Sequence, residues 1–294
     1  MVPPQKSWPT SLSSSPTGSS GDEAARPSVN EIFAVLADVH GNLEAMDVVL
    51  ADAQAHGVAS FVVAGDLSGF GGDPDGCLDR LIAVDARMVR GNHEADYVAR
   101  FGPGMPVEWR TGPRWAGLRW NMERLGATRR RYLADLPDRL ELGRRAAVMH
   151  ASTRGIRAGA MPTMTDDVLE EMFSTEPLRS AFVGHTHRAF DRRLRSGRRI
   201  VNAGSVGLPL DEDPRAAYAV VEPRDGDWAI DLRRVAYPIE RAIARAWTQA
   251  PEVADEVLAL FERTGRDHVG PAFRAARDEP DDTFLSVLAA CLRA

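Results

Sequence analysis

Five short segments hold most of the side chains in this chain that could carry out catalysis. They are Asp38-Val39-His40, Gly65-Asp66, Gly91-Asn92-His93-Glu94, His150 and Gly184-His185-Thr186-His187. Imidazole nitrogen, carboxylate oxygen and amide oxygen are donors that borderline divalent metals accept. The chain has seven His. Five lie in these segments; His56 and His268 lie outside and read as surface residues. Asp38, His40, Asp66, Asn92, His150, His185 and His187 make seven candidate ligands. That is about three or four per ion for two ions, if one carboxylate is shared. A carboxylate has two equivalent anionic oxygens and suits the shared position. Two ions about 3.5–4 Å apart can clamp the attacking and leaving oxygens of a phosphoryl group.

Each segment also has a blander reading. Asp38 or Asn42 could cap a helix starting near Leu43. Asp66 could be a turn residue, His150 a satisfied core histidine and His93 a neighbour of a helix cap. His185 and His187 could decorate a hairpin edge. No segment is specific alone. Their order, each behind an apolar β-type run, favours one shared metal site.

The elements that must position these residues can be read from periodicity. Ile32 to Leu36 is a short apolar run leading to Asp38. Leu43 to His56 reads as a helix, with Leu43, Met46, Val49 and Leu50 on one stripe. Ser60 to Ala64 is a second strand, running into Gly65-Asp66. Asp75 to Val84 is a helix, and Ala86 to Val89 a third strand before Gly91-Asn92-His93. Alternation of strand and helix predicts a parallel sheet covered by helices. In such sheets the ligand crevice lies beyond the carboxyl ends of the strands. Asp38, Asp66 and Asn92 fall at those ends, one per strand.

Residues 94–137 are predicted to form a helical, cap-like segment with a Pro/Gly-rich break at Phe101 to Pro106. Trp109, Trp115 and Trp120 raise the idea of a base-stacking platform. Trp115, Leu118, Met122 and Leu125 at helical spacing are more simply a buried helix face. After Pro137 short strands are predicted over Arg139 to Leu142, Ala146 to Met149, Ala181 to Val183, Phe190 to Leu194, Arg199 to Asn202, Ala217 to Val221 and Ala229 to Val235. A helix, Asp166 to Phe173, interrupts them. Ser196-Gly197 and Asp225-Gly226 read as hairpin turns. Residues 238–294 are expected to be helical and to pack on the core or on a second copy of the chain, the latter giving a homo-oligomer. Residues 1–29 are rich in Ser, Pro and Gly without apolar periodicity, so a disordered tail is expected.

Composition narrows the classes. The chain has 294 residues, enough to bury a full core, and its 44% hydrophobic content is ordinary for a globular protein. A formal charge of -6 gives no general attraction to nucleic acid or to an anionic membrane. The Arg clusters (Arg129 to Arg131, Arg192-Arg193, Arg198-Arg199) read as solvated faces rather than a nucleic-acid groove. No apolar run approaches the roughly 18 residues a membrane span needs. The start of the chain lacks the charged and apolar regions of a secretory signal. Cys77 and Cys291, far apart, form no disulfide framework and fit a reducing compartment. A cytoplasmic location is the expectation.

The ordered set DxH, GD, GNH[DE], His and GHxH resembles the calcineurin-like metallophosphoesterase superfamily, over roughly Ile32 to Val235. The chain is similar in particular to small bacterial and archaeal phosphodiesterase-type members. Their N-P-G-S-V-G segment corresponds to Asn202-Ala203-Gly204-Ser205-Val206-Gly207 here. Their G-D-x-x-G-[YF]-G-x-x-P motif is matched from Gly65 to Pro74. The resemblance implies a four-layer α/β/β/α sandwich of two mixed sheets flanked by helices, as one domain over residues 30–237. It implies that Asp38, His40 and His187 hold one metal, that Asn92, His150 and His185 hold another, and that Asp66 bridges them. The cofactors would be two divalent ions (Mn, Fe, Zn, Ni or Co), selected by availability. A bridging hydroxide would be the nucleophile, because metal lowers the pKa of bound water.

In this family the His93 position is not a ligand. With Asn92 it faces the substrate. Nearby cations favour an unprotonated ring, so acid and electrostatic roles both stay open. Arg154 matches a family Arg and is expected to contact a phosphate oxygen. The chain departs from the pattern at Ala203, where the family has Pro, and at Ala151, where Gly is common. His150-Ala151-Ser152-Thr153-Arg154-Gly155 replaces the frequent H-G-S-P-R-D. No ligand is lost, so the departures bear on the substrate loop. The expected activity is hydrolysis of small phosphate monoesters or diesters, nucleotides among them. The alternatives are a non-catalytic metal-binding scaffold, which would have lost ligands or the substrate-facing His, and a nuclease.

Overall fold

The structure is a computed structural model that describes residues 31–112, 115–224 and 226–249. The expectations for the N-terminal tail, His268, Cys291 and residues 250–294 lie outside the described residues.

Strand β1 (Phe33–Leu36) is buried along its whole length. Its unbroken apolar run follows from its place inside a sheet covered on both faces. After α1 (Leu43–Ala55) comes β2 (Ser60–Val63), then α2 (Pro74–Ala83) and β3 (Arg87–Met88). β1, β2 and β3 pair in parallel, as the strand–helix alternation predicts. The sheet is completed by β9 (Ala216–Arg224), antiparallel to β1, and its hairpin partner β10 (Asp227–Val235). The order is β10-β9-β1-β2-β3.

The second sheet holds β4 (Arg139–Gly143), β5 (Ala146–Met149), β6 (Ser180–Val183), β7 (Phe190–Arg193) and β8 (Arg199–Asn202), in the order β4-β5-β6-β8-β7. β5, β6 and β8 run parallel, while β4 and β7 are antiparallel to their neighbours. Both sheets are therefore mixed.

Period-two alternation divides the core into layers. Phe33 and Val35 face the second sheet and pack with Val62, Val148, Phe182, Val201 and Trp228. The Phe33 ring meets Phe182 at 6.0 Å and Trp228 at 5.4 Å, both edge-on. Ala34 and Leu36 face outward, against Met46 and Val49 of α1, Leu78 and Leu81 of α2, Met122 of α4 (Ala116–Ala134) and Ile243 of α6 (Ile239–Gln249). On the far side, Ala181, Val183 and Ile200 pack against Leu169, Met172 and Phe173, at and just beyond α5 (Asp166–Met172). The result is the four-layer α/β/β/α sandwich. No helix among the described residues is long and apolar enough to cross a membrane.

Local chemistry sets the helix ends. Asn42 caps α1, its Oδ1 accepting the Ala45 N–H at 3.1 Å, while its amide donates to the Gly207 carbonyl at 3.0 Å. Asp38 does not take that capping role. Asp73 caps α2 by accepting from Gly76, and Pro74 occupies the first turn, so the helix starts one residue before Asp75. A short helix, α3 (Val107–Thr111), follows the Pro/Gly break. α4 is kinked at Gly126 (φ 69°, ψ 168°), a feature the sequence reading did not anticipate. Cys77 is wholly buried in α2 and packs as an apolar residue, with burial pushing its thiol well up. In α6, Arg245 reaches Glu44 at 2.7 Å and Asp73 at 3.1 Å, seating the helix beside the Gly71-Gly72 loop.

The inter-sheet layer holds both rows of strand ends in register. Phe33→Ala should lower the unfolding free energy by about 3–5 kcal/mol, read from urea denaturation. A loss within about 0.5 kcal/mol, the scale of an ordinary surface change, would mean that Phe33 does not anchor the sandwich.

Candidate metal centre

Asp38 follows β1, Asp66 follows β2 and Asn92 follows β3. His150 follows β5, and His185 and His187 follow β6. The carboxyl ends of strands from both sheets thus meet at one edge of the sandwich. The backbone there is strained: Asp38 (φ 52°), His40 (49°), Asp66 (52°), His185 (68°) and His187 (55°) are all left-handed. They are five of the nine described non-glycine residues with positive φ. Such a conformation costs roughly 1–2 kcal/mol per residue and persists only where neighbours over-determine it.

Those neighbours can be named. The Asp66 Oδ1 accepts the His93 N–H at 2.8 Å, and the Asp38 Oδ2 accepts the His185 N–H at 2.8 Å. Each carboxylate is held by one oxygen, which aims the other inward. A Cβ on Gly91 would overlap Asp66 Oδ1, and one on Gly184 would lie 2.5 Å from Asp38 Oδ2. The glycines of GNH and GHTH are therefore demanded by close approach. Behind them, Asn202 donates to the Gly184 carbonyl at 2.8 Å and to Thr186 Oγ1 at 2.9 Å. Ser205 Oγ donates to the Asp38 carbonyl at 2.7 Å. The Asn202–Gly207 segment braces two ligand loops at once.

The imidazoles are oriented just as firmly. His40 Nδ1 faces the Ser68 carbonyl (3.2 Å), His150 Nδ1 the Ala64 carbonyl (2.7 Å) and His187 Nδ1 the Leu208 carbonyl (2.5 Å). A carbonyl only accepts, so each Nδ1 carries the proton. Burial lowers the pKa of all three rings, to about 4 for His150 and His187 and well down for His40. They are neutral near pH 7, with lone pairs on Nε2. Those lone pairs point at one another: His40 and His187 Nε2 are 3.2 Å apart. His150 Nε2 lies 3.0 Å from Asn92 Oδ1, 3.1 Å from His185 Nδ1 and 3.5 Å from Asp66 Oδ2.

Facing acceptors in a dry site repel unless a cation lies between them. Ligand bonds of about 2.0–2.2 Å place adjacent donor atoms roughly 3–3.5 Å apart around one ion. The observed spacing fits that requirement. Asp38, His40 and His187 form one potential ligand group, and Asp66, His150 and His185 another. Asp66 also groups with His40 and His93. Asp38 Oδ1 is buried without a hydrogen-bond partner, 3.5 Å from His187 Nε2. Burial, and then the Asp66 charge, push the Asp38 carboxyl well up. Burial also raises Asp66, against the pull of His93. Divalent cations are the partners this donor set calls for.

His93 opens a π-helical turn (His93–Val98), with its Nε2 3.9 Å from Asp66 Oδ2. Asn92 and His93 thus sit among the candidate ligands. Arg154 does not: it is half exposed and pairs with Glu171 at 2.5 Å. The same loop offers a second cation, Arg157, which pairs with Asp96 of the π-helical turn. The Arg157 backbone also hydrogen-bonds His185.

The sequence reading gave no role to Glu94. Wholly buried, it accepts backbone N–H bonds from Asp66 (2.9 Å), Leu67 (3.0 Å), Ser68 (3.2 Å) and Gly91 (2.8 Å), and the Ser68 hydroxyl at 3.3 Å. Burial and the Asp66 charge push its pKa up, while the N–H bonds hold it down. One carboxylate thus ties the loop after β2 to the loop after β3. The Gly91-to-Glu94 spacing, like the acidic return of a capping box, was the available signal.

Two measurements test this centre. Glu94→Gln turns an NH₂ towards backbone donors and should weaken Mn²⁺ affinity about ten- to a hundredfold by calorimetric titration; unchanged affinity would show that the tie is dispensable. Acidification should also erase the thermal stabilisation that Mn²⁺ confers, because protons compete for the same lone pairs. For the metal-free fold, His150 and His187 protonate near 4, below the ordinary value of about 6.5. The unfolded chain takes up those protons first, so their contribution to stability is present above about 6.5 and is lost as pH falls towards 4. The raised Asp38 and Asp66 carboxyls act oppositely, the fold gaining stability as they protonate. The metal-induced rise in Tm is therefore the cleaner readout, and a rise as large at pH 5 as at pH 8 would contradict the ligand assignment.

Comparison with known proteins agrees with this geometry. The model of the calcineurin-like phosphoesterase superfamily domain matches residues 32–226. A metallophosphoesterase from Sphaerobacter thermophilus is 26% identical in a structural match covering 80% of this chain and 99% of that one, with a TM-score of 0.66. A hypothetical protein of Pyrococcus horikoshii shares the fold at 20% identity and a TM-score of 0.68, over 78% of this chain and 97% of its own. An uncharacterised protein of Methanocaldococcus jannaschii is 26% identical over 79% of this chain and 99% of its own length. With more than half of the chain matched and the motif residues gathered at one sheet edge, the chain belongs to the calcineurin-like phosphoesterase superfamily.

Proposed function

We propose that this protein hydrolyses small phosphate esters, monoesters or diesters, with two divalent metal ions. The observation that carries this reading is the position of Asp66. Its Oδ2 lies 3.8 Å from His40 Nε2 and 3.5 Å from His150 Nε2, on the boundary between two groups of donors. Asp38, His40 and His187 would hold one ion, Asn92, His150 and His185 the other, with Asp66 shared. Such a pair, drawn from Mn, Fe, Zn, Ni or Co, would activate water and neutralise charge on the phosphoryl oxygens.

The chain's own residues do the rest. Asn92 and His93 face the reacting phosphoryl group, and His93 supplies a hydrogen bond or a proton to an oxygen leaving phosphorus. Water adds to phosphorus, the ester oxygen departs as an alcohol, and phosphate or a monoester remains. Arg154, released from Glu171, would steady a phosphate oxygen; Arg157 stands nearer His185 and could share that task. The loss of bulk water around Asp38 and His150 strengthens every charge interaction there.

A scaffold without activity accounts poorly for His93, which is unnecessary for metal retention yet is held at the centre. A nuclease reading finds little support in charge. Arg129 pairs with Asp79, Arg192 with Asp166, Arg193 with Asp227, Arg198 with Glu170 and Arg199 with Asp191. These five Arg are each paired locally rather than presented as a basic stripe. A cytoplasmic setting, with small soluble esters as partners, suits the composition.

Mn²⁺-loaded protein should cleave p-nitrophenyl phosphate or bis(p-nitrophenyl) phosphate. His93→Ala should reduce kcat about a hundredfold or more. Asp66→Ala should abolish turnover together with the second equivalent of bound metal. Undiminished turnover in the Asp66 variant would rule out the two-ion mechanism.

A further inference from the structure

Phe70 is 42% exposed, one of three large apolar side chains so placed among the described residues. It lies within the Gly65-to-Pro74 motif, beside the metal centre. Its ring centroid is 5.1 Å from His40 and 5.3 Å from His93. The interplanar angles are 51° and 69°, so neither imidazole stacks on its face. From His93 the aromatic contacts continue outward. Tyr97 meets His93 at 5.1 Å, Trp109 meets Tyr97 at 5.4 Å, and Trp115 meets Trp109 at 5.0 Å. The first three junctions of this row are tilted or edge-on, while the two indoles lie only 31° apart. Trp120 is not part of the row; it packs against the helix-side core.

An exposed Phe costs apolar burial, and the indoles of Trp109 and Trp115 are only half-buried. A core-filling role would bury them, as it buries Met122 and Leu125 of the same segment. The row instead runs from Phe70 past His93, beside the candidate metal centre, to α3 and the start of α4. It comes from three separate parts of the chain: the loop after β2, the π-helical turn, and α3 with the start of α4. Partly exposed aromatic side chains beside a phosphoryl site suit a flat heteroaromatic group on the esterified alcohol. Aromatic stacking tolerates any base because every base has a π-face.

We infer that Phe70, Tyr97, Trp109 and Trp115 form a stacking platform for the base of a nucleotide substrate. This rests on the phosphoesterase reading above and adds its substrate class. Phe70 and Tyr97 flank the near end, next to His93, and the indole pair sets the far end. An ester without a base would bind through its phosphate alone.

The test uses pairs that differ only in the base. Adenosine 5′-monophosphate is compared with ribose 5-phosphate, and the methyl esters of both serve as the diester pair. With the Mn²⁺-loaded full chain, the base-bearing member should show a kcat/KM about tenfold or more above its partner. Phe70→Ala and Trp109→Ala should each shrink that ratio, and together should bring it near one. Tryptophan fluorescence gives a second readout that needs no turnover. Adenosine 5′-monophosphate should quench it saturably, ribose 5-phosphate should not, and Trp109→Phe should reduce the quench. Equal kcat/KM within each pair, or a ratio undiminished in the double variant, would overturn the platform while leaving hydrolysis intact. Saturable, base-dependent quenching without turnover of any ester would uphold the platform and remove the hydrolase reading. Neither turnover nor quenching would overturn both.

Discussion

Acceptors forced to face acceptors are the constraint on which this structure turns. His40 and His187 commit their Nδ1 protons to backbone carbonyls and so direct two lone pairs at each other across 3.2 Å. Two buried carboxylates, Asp38 and Asp66, stand beside them. Desolvating such charges costs several kcal/mol per ion, and the five left-handed residues add roughly 1–2 kcal/mol each. The many surface Arg–carboxylate pairs cannot offset this, since exposed pairs contribute about 0–1 kcal/mol apiece. The balance comes from apolar burial in three layers of core, and from any cation that the facing donors attract. A site this costly is kept for what it binds.

The scaffold is organised to tolerate that cost. Each candidate ligand loop leaves the end of a paired strand, so the left-handed residues fall just beyond the ladder. Cross-ties then link loops from different strands. Glu94 joins the loops after β2 and β3; Asn202 and Ser205 join those after β6 and β1. The two sheets are further locked by the edge-on contacts of Phe33 with Phe182 and Trp228, in the layer between them. Ligand geometry is thus inherited from strand register, which a buried and alternating face fixes to within one residue.

This explains which parts were legible in the sequence. Parallel strands buried on both faces appear as unbroken apolar runs, so β1, β2, β5 and β6 could be read, and with them the ligands at their ends. β3 is only two residues long, yet Gly91-Asn92-His93 marked its end. The role of Glu94 was hidden because its donors, apart from Gly91, lie 26 to 28 residues away. The left-handed backbone at Asp38, His40 and Asp66 was hidden for a similar reason. Long-range bonds impose it, and residue type does not announce it. Spacing put Trp115 on a buried helix face with Met122 and Leu125, but its indole is only half-buried and meets Trp109 instead. Trp120 packs against the helix-side core, while Trp115 stays with Trp109, a division that depends on where α3 packs. Arg154 matched a motif by position, but whether a long side chain reaches a site depends on loop shape, and here Glu171 holds it.

The two departures from the family pattern can be weighed on the same terms. Ala203 is wholly buried between the sheets, and its N–H donates to the Val183 carbonyl at 3.0 Å. A proline there could not make that bond and would only have fixed φ. The substitution exchanges chain stiffness for one more rung between β8 and β6, directly behind His185 and His187. Ala151, also buried, follows His150 where glycine would leave the backbone freer. Alanine narrows the conformations open to the loop that carries Ser152, Arg154 and Arg157. Both changes act on the frame and spare every donor. All seven candidate donors are therefore retained, while Ala203 falls on the frame behind His185 and His187 and Ala151 on the loop that carries Arg154.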